Sequence, residues 1–184
     1  QVDCSLERYN HIFDNDDVRP GLISADVNGD LIFYNTEAME IARNSYTFPD
    51  IGTGVRSLAI SSLRVRTLLD GSKGNAVFST TDDNITQQSG APIIVDQLTQ
   101  FAAGTGNVTL EFGDELGNLL NDNNWNRLEV ISGGTVSFMD EDEVIVGEVS
   151  ATGSARFQTQ NEKQLCFDGA IVVANNCFSP PDLG

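Results

Sequence analysis

Oxygen-bearing side chains cluster near the start of the chain, where Asp26, Asn28, Asp30 and Glu37 are close enough to serve one binding loop. Calcium takes six to eight oxygen ligands, which proteins supply as carboxylates, amides and carbonyls. The whole chain carries 27 acidic and 10 basic residues, a formal net charge of -17. Spacing and charge together predict a site for Ca2+.

These four residues also resemble a known calcium loop. With the first aspartate as position 1, they occupy positions 1, 3, 5 and 12 of the twelve-residue EF-hand loop. The chain departs from that pattern at position 6, where Leu31 replaces glycine, and Pro20 precludes an incoming helix. Three interpretations stay open: an EF-type loop, a calcium site of another kind, and a metal-free hairpin that turns at Asn28-Gly29.

A second acidic group lies upstream, at Asp14, Asp16 and Asp17. Carboxylates this close repel one another unless water or a cation intervenes. We therefore expect these residues either to bind a cation together with a distant loop or to form a solvated turn.

The single tryptophan, Trp125, lies in an asparagine-rich segment next to Asn123 and Asn124. An exposed indole could stack on a sugar ring while neighbouring amides bind its hydroxyl groups. The segment therefore suggests a carbohydrate contact, and the alternative is a tryptophan that packs on the sheet and anchors the loop.

Three cysteines are present, and none has the spacing of a thiolate zinc site. Cys166 and Cys177 flank an apolar segment at 170–174, so a disulfide between them would close a C-terminal loop. Pairing of Cys4 with either one, or three reduced thiols, are the alternatives. The asparagine-rich, lysine-poor composition favours export, and hence a secreted or cell-surface protein.

Several functional classes lack the residues they need. With one histidine, His11, and no nucleophile elbow, neither a catalytic triad nor zinc catalysis is supported. Nucleic-acid binding requires basic residues that this chain lacks. No apolar run reaches the roughly 18 residues that span a bilayer. A hydrolase using paired carboxylates is the remaining enzymatic option, without a specific pattern to support it, and we expect no enzyme.

Alternation of apolar and polar residues dominates the second half of the chain. Val108 and Leu110 share one face, and similar pairs recur up to Phe157, separated by glycine-rich or acidic turns. This pattern predicts a mainly β fold: a single antiparallel β-sandwich or rolled, jelly-roll-like sheet. One to three short helices are expected, one within residues 1–19 and others at 36–44 and 95–102, and an α+β, pilin-like module is the alternative.

We expect one β-rich domain over residues 1–184, with 1–20 a possible N-terminal extension and 178–184 an extended tail. Many strand edges without catalytic groups favour an exported structural subunit. It would self-assemble into a filament, tube or surface layer, by calcium binding and strand addition between subunits. The alternative is a calcium-dependent carbohydrate-binding or adhesive module, with a glycan as partner.

Overall fold

The computed structural model describes most of the chain between residues 21 and 179. The described ranges are 21–42, 44–49, 55–60, 63–67, 74–110, 123–140, 143–159, 164–174 and 177–179, with backbone alone at 21, 44–49, 55–60 and 177–179. The predicted extension at 1–20, the predicted helix at 1–19 and most of the tail lie outside these residues.

The described residues form β-strands joined by turns and bends, and none of them is helical. The strands are β1 Gly21–Ile23, β2 Ala25–Asn28, β3 Leu31–Tyr34, β4 Met39–Ile41, β5 Asn44–Pro49, β6 Val55–Ile60, β7 Leu63–Arg66, β8 Ala76–Ser79, β9 Ile85–Gln87, β10 Ile93–Ala102, β11 Val108–Leu110, β12 Asn124–Gly133, β13 Val136–Asp140, β14 Val144–Ala151, β15 Ser154–Thr159, β16 Leu165–Phe167, β17 Ile171–Val173 and β18 Cys177–Ser179.

Two parallel sheets contain all but two of these strands. Sheet A has the order β1-β4-β9-β11-β13-β15-β18. Sheet B runs β16-β14-β12-β10-β7-β2, with β17 beside β14, β8 beside β10 and β3 beside β8. Among the described strands, only the separate pair β5–β6 is antiparallel. The mainly β prediction is confirmed, whereas the predicted antiparallel sandwich or rolled sheet is wrong.

The chain winds through these sheets as a coil, crossing sheet B, then sheet A, and returning to sheet B beside the previous strand. We define the first coil as β2–β4, the second as β7–β9, the third as β10–β11, the fourth as β12–β13, the fifth as β14–β15 and the last coil as β16–β18. Because each coil pairs in parallel with its neighbours, the architecture is a β-solenoid.

Core side chains of successive coils stack in columns. Strand register aligns Phe33, Phe78, Phe101, Val130 and Val149 in one column along sheet B. The rings of Phe78 and Phe101 are 5.4 Å apart and within 19° of parallel. Neighbouring strands lie about 4.8 Å apart, so each coil covers the apolar residues of the one before it.

Side-chain amides and carboxylates join the coils at the turns that lead from sheet B to sheet A. The Oδ1 atom of Asn84 accepts a hydrogen bond from the Asn107 N–H at 2.8 Å, and Asn107 Oδ1 accepts one from the Thr135 N–H at 2.8 Å. Asp82 Oδ1 accepts one from the Thr105 N–H at 2.9 Å. These side chains satisfy peptide groups that the strand ladder does not reach.

The predicted hairpin at Asn28-Gly29 is a bend within the first coil. Gly29 has a φ of 95°, which fits the expected requirement for positive φ. However, β2 pairs with β7 and β3 pairs with β8, so the two strands around the bend never pair with each other.

The helices predicted at 36–44 and 95–102 are wrong. The first region contains a turn, β4 and the start of β5, and the second lies entirely within β10. A register shift between Val95 and Leu98 interrupts the two-residue alternation of β10. Such a bulge adds a residue to the strand, so the apolar residues acquired a helix-like spacing.

Candidate functional site: the last coil

The predicted calcium ligands near the start of the chain bind protein groups of the second coil. The Asp26 carboxylate forms an ion pair with Arg66, with Oδ1 at 3.1 Å from Nη1. Asp30 Oδ1 accepts hydrogen bonds from the backbone N–H and the side-chain amide of Asn75, at 2.8 and 3.1 Å. Both carboxylates therefore help to hold the first coil on the second.

The other predicted ligands are dispersed. Asn28 is an exposed residue of β2, whereas Glu37 lies in the turn beyond β3. The four residues of β3 lie between Asn28 and Glu37, and at 3.3 Å per residue they span about 13 Å. Within the described ranges, no three His, Cys, Asp or Glu side chains are grouped to hold a metal. Asp14, Asp16 and Asp17 lie outside those ranges, so calcium binding stays a prediction.

Trp125 is completely buried and cannot stack on a sugar. Its ring packs edge-on against Phe138, with centroids 5.9 Å apart and an interplanar angle of 80°. The backbone N–H of Trp125 donates to the buried Asp140 carboxylate at 2.9 Å. The interpretation of Trp125 as an exposed sugar platform does not fit this structure, and the alternative of a tryptophan packed on the sheet does.

Asn123, the second predicted sugar contact, is also buried. Its Oδ1 accepts hydrogen bonds from Gln87 Nε2 at 2.6 Å and from the Ile93 N–H at 2.9 Å. Its Nδ2 donates to the carbonyls of Leu110 and Met139, both at 3.2 Å. Asn123 thus bonds to backbone groups of the third and fourth coils next to the start of β12, and this network is structural. Of the three predicted contacts, only Asn124 is exposed.

The predicted disulfide partner Cys166 is a partly exposed free thiol on β16. Cys4 and the side chain of Cys177 lie outside the described part of the molecule. The structure therefore gives the Cys166–Cys177 disulfide no support.

Apolar residues on the last coil are less well covered than those on the first. Phe33 and Leu31 in the first coil are 8% and 3% exposed, whereas Phe167 in the last coil is 39% exposed. Leu165, Ile171 and Val173 pack against the core but remain only partly buried, whereas in the first coil only the smaller Ala25 and Val27 do so. The core columns thus continue into the last coil, where their final members keep contact with solvent.

The peptide groups of β17 show why a strand could be added here. The Val149 N–H of β14 donates to the Ala170 carbonyl, and the Ala174 N–H donates to the Ala151 carbonyl of β14, both at 2.9 Å. Because successive peptide groups of a strand point to opposite sides, Ile171 and Val173 direct theirs away from β14. Among the described strands β17 has no other partner, so within the described part of the molecule this side is a strand edge.

An ion-pair cluster on the outer face of sheet B attaches the last coil. Arg127 Nε lies 2.9 Å from Glu129 Oε1, and Arg127 Nη1 contacts Asp168 between β16 and β17. Hydrogen bonds to Asp168 first, and then to Glu129, raise the pKa of Arg127. A Cβ added at Gly147 would lie 2.6 Å from both Arg127 Nη2 and Glu129 Oε1. Glycine therefore leaves room for this cluster.

No protein-family model, curated protein or solved structure matches this chain. The described residues include no helix of the length and apolarity needed to cross a membrane. The strand-like segment 170–174 is recognisable from its β-branched run Ile171-Val172-Val173, and the structure has β17 there. Sequence alone does not show that this strand lies at the edge of a parallel sheet.

Proposed function

We propose that this chain is an exported structural subunit that associates with copies of itself by adding strands to its last coil. The observation that supports this is the last coil itself, where partly exposed Leu165, Ile171 and Val173 coincide with an available strand edge. A second copy would both cover the apolar side chains and pair with the peptide groups, and each contributes to association.

Composition supports the export part of this proposal. The chain has only two lysines, Lys73 and Lys163, and many asparagines. Some of those asparagines serve the solenoid directly, as Asn84 and Asn107 do at the turns.

Divalent cations enter the proposal through net charge. Copies that each carry a formal charge of -17 repel one another. Calcium or magnesium would reduce this repulsion by screening, and no specific cation site is required.

The test compares Val173→Pro with Val173→Ala. Proline removes the outward N–H and is tolerated at a strand edge, whereas alanine keeps the N–H and controls for the shorter side chain. Light scattering coupled to gel filtration, over a concentration series with calcium and with EDTA, should show self-association of the wild type and of Val173→Ala. Val173→Pro should remain a monomer with an unchanged circular dichroism spectrum.

A wild-type chain that stays monomeric at every concentration, in both calcium and EDTA, would rule out the proposal. So would association of Val173→Pro with the same concentration dependence as the wild type.

A further inference from the structure

We infer that the partner at the last coil is the last coil of a second copy, so that two chains meet end to end around a two-fold axis. We further infer that Arg127 permits this contact by neutralising Asp168. The inference rests on the proposed function, because it specifies the geometry of that self-association.

The first coil is a poor surface for a second copy. Its larger core residues Leu31 and Phe33 are 3% and 8% exposed, and Met39 and Ile41 are 0% exposed. Apart from the partly buried Ala25 and Val27, the first coil therefore offers little core surface to an incoming strand. The described residues 21–42 also include four acidic side chains and no basic ones: Asp26, Asp30, Glu37 and Glu40. Of these, Asp26 forms an ion pair with Arg66 of the second coil.

The last coil differs in charge as well as in apolar exposure. Its described residues 164–174 contain one charged side chain, Asp168. Arg127, from the fourth coil, forms an ion pair with this carboxylate. The last coil is therefore an end at which two strongly acidic chains place few carboxylates opposite each other, and Arg127, which also binds Glu129, partly compensates the charge of Asp168.

The Arg127 side chain is held for this role by its neighbours. One carboxylate oxygen of Glu129 accepts a hydrogen bond from Arg127 Nε at 2.9 Å, and the other accepts one from Gln100 Nε2 at 2.8 Å. Gly147 leaves the space that the two long side chains occupy. The guanidinium thus reaches across the fifth coil to Asp168.

An end that binds its own counterpart forms an isologous contact, which closes at two copies. An end that bound the first coil would instead form a head-to-tail contact and an open filament. The acidic side chains of the first coil and the burial of its large core residues disfavour the head-to-tail contact and thus favour the closed dimer.

The orientation is tested with a matched pair of edge prolines. In β3, the Leu31 N–H donates to Asn75 and the Asn35 N–H donates to Ser79. Ile32 therefore directs its N–H away from the second coil, just as Val173 directs its own away from the fifth. Ile32→Pro should leave the dimer intact, whereas Val173→Pro should abolish it. Loss of association in Ile32→Pro, or a wild-type mass that keeps growing beyond two chains, would overturn the end-to-end dimer while leaving self-association in place.

The charge argument is tested with Arg127→Gln, Asp168→Asn and the double variant, by sedimentation equilibrium at low and high salt. Arg127→Gln should weaken the dimer about tenfold or more at low salt, because like charges meeting at an interface cost several kcal/mol. Asp168→Asn should have little effect alone and should restore association in the double variant. High salt should reduce the Arg127→Gln defect.

A purely structural ion pair would behave differently. If Arg127 only fixed the position of the last coil, both single variants would weaken the dimer, and the double variant would not recover. That outcome, or an Arg127→Gln dimer as strong as the wild type, would overturn the charge argument. A monomeric wild type would instead contradict the proposed function itself.

Discussion

The first and last coils have similar strands, yet their core residues are covered differently. In the first coil Phe33 is 8% exposed, whereas in the last coil Phe167 is 39% exposed although it contacts Phe157 at a centroid distance of 5.6 Å. The stability of a solenoid is close to a sum of contacts between neighbouring coils. The comparison therefore indicates that the last coil is the less stable end and the one whose large core residue keeps apolar surface exposed.

The largest difference between the two coils should appear when a phenylalanine is removed from each. Phe33→Ala should lower the free energy of unfolding by about 3–5 kcal/mol, the usual loss for a buried phenylalanine. Phe167→Ala should cost roughly 1–2 kcal/mol, because much of its ring already contacts water. Urea unfolding at a concentration that keeps the chain monomeric measures both values, and equal losses would contradict the comparison.

A smaller effect is expected from crowding the contact between the fifth coil and the last coil. A Cβ at Gly169 would lie 2.3 Å from the carbonyl carbon of Gly147, which is backbone and has little freedom to move. Gly169→Ala should therefore destabilise by about 1–3 kcal/mol, as overpacked sites do.

Hydrogen exchange shows where the Gly169→Ala effect is located. Amides of β17 that bond to β14 should exchange faster, while those joining β3 to β8 keep their protection. Equal loss of protection at both ends would show that the coils unfold as one unit and that the last coil has no separate weakness.

The smallest effect is expected at the ion pair of the first coil. Asp26 and Arg66 are 46% and 44% exposed at their side chains, and exposed pairs contribute at most about 1 kcal/mol. Asp26→Asn should therefore lower stability by less than this amount, equally in excess calcium and in EDTA. A loss seen in calcium alone, by thermal unfolding, would restore Asp26 as a calcium ligand.

Strand positions were largely predictable from alternation. In β7 the alternation places Arg64 and Arg66 on one face and Leu63 and Val65 on the other, and the structure exposes both arginines and buries both apolar residues. Strand direction was not predictable, because alternation reports only that one face is buried. Parallel sheets usually have both faces covered, and a solenoid, whose outer face meets solvent, is an exception to that rule.

The coil repeat was hidden by uneven spacing. Val65 pairs with Val95, 30 residues later, whereas Leu128 pairs with Val146, only 18 residues later. Turns of different length therefore separate equivalent positions, and no fixed period marks the coils. Distances along the sequence also misled the site prediction, since the extended strand β3 separates Asp30 from Glu37.

The sequence by itself determined that this chain is strongly acidic, rich in short strands with one apolar face, and has only one histidine and two lysines. Those properties depend on residue type and local periodicity. Only the tertiary structure decided that the strands run parallel, that Trp125 is buried and that Arg127 reaches Asp168 from two coils away. These features depend on the order in which the coils stack, and that order is set by packing between residues far apart in the chain.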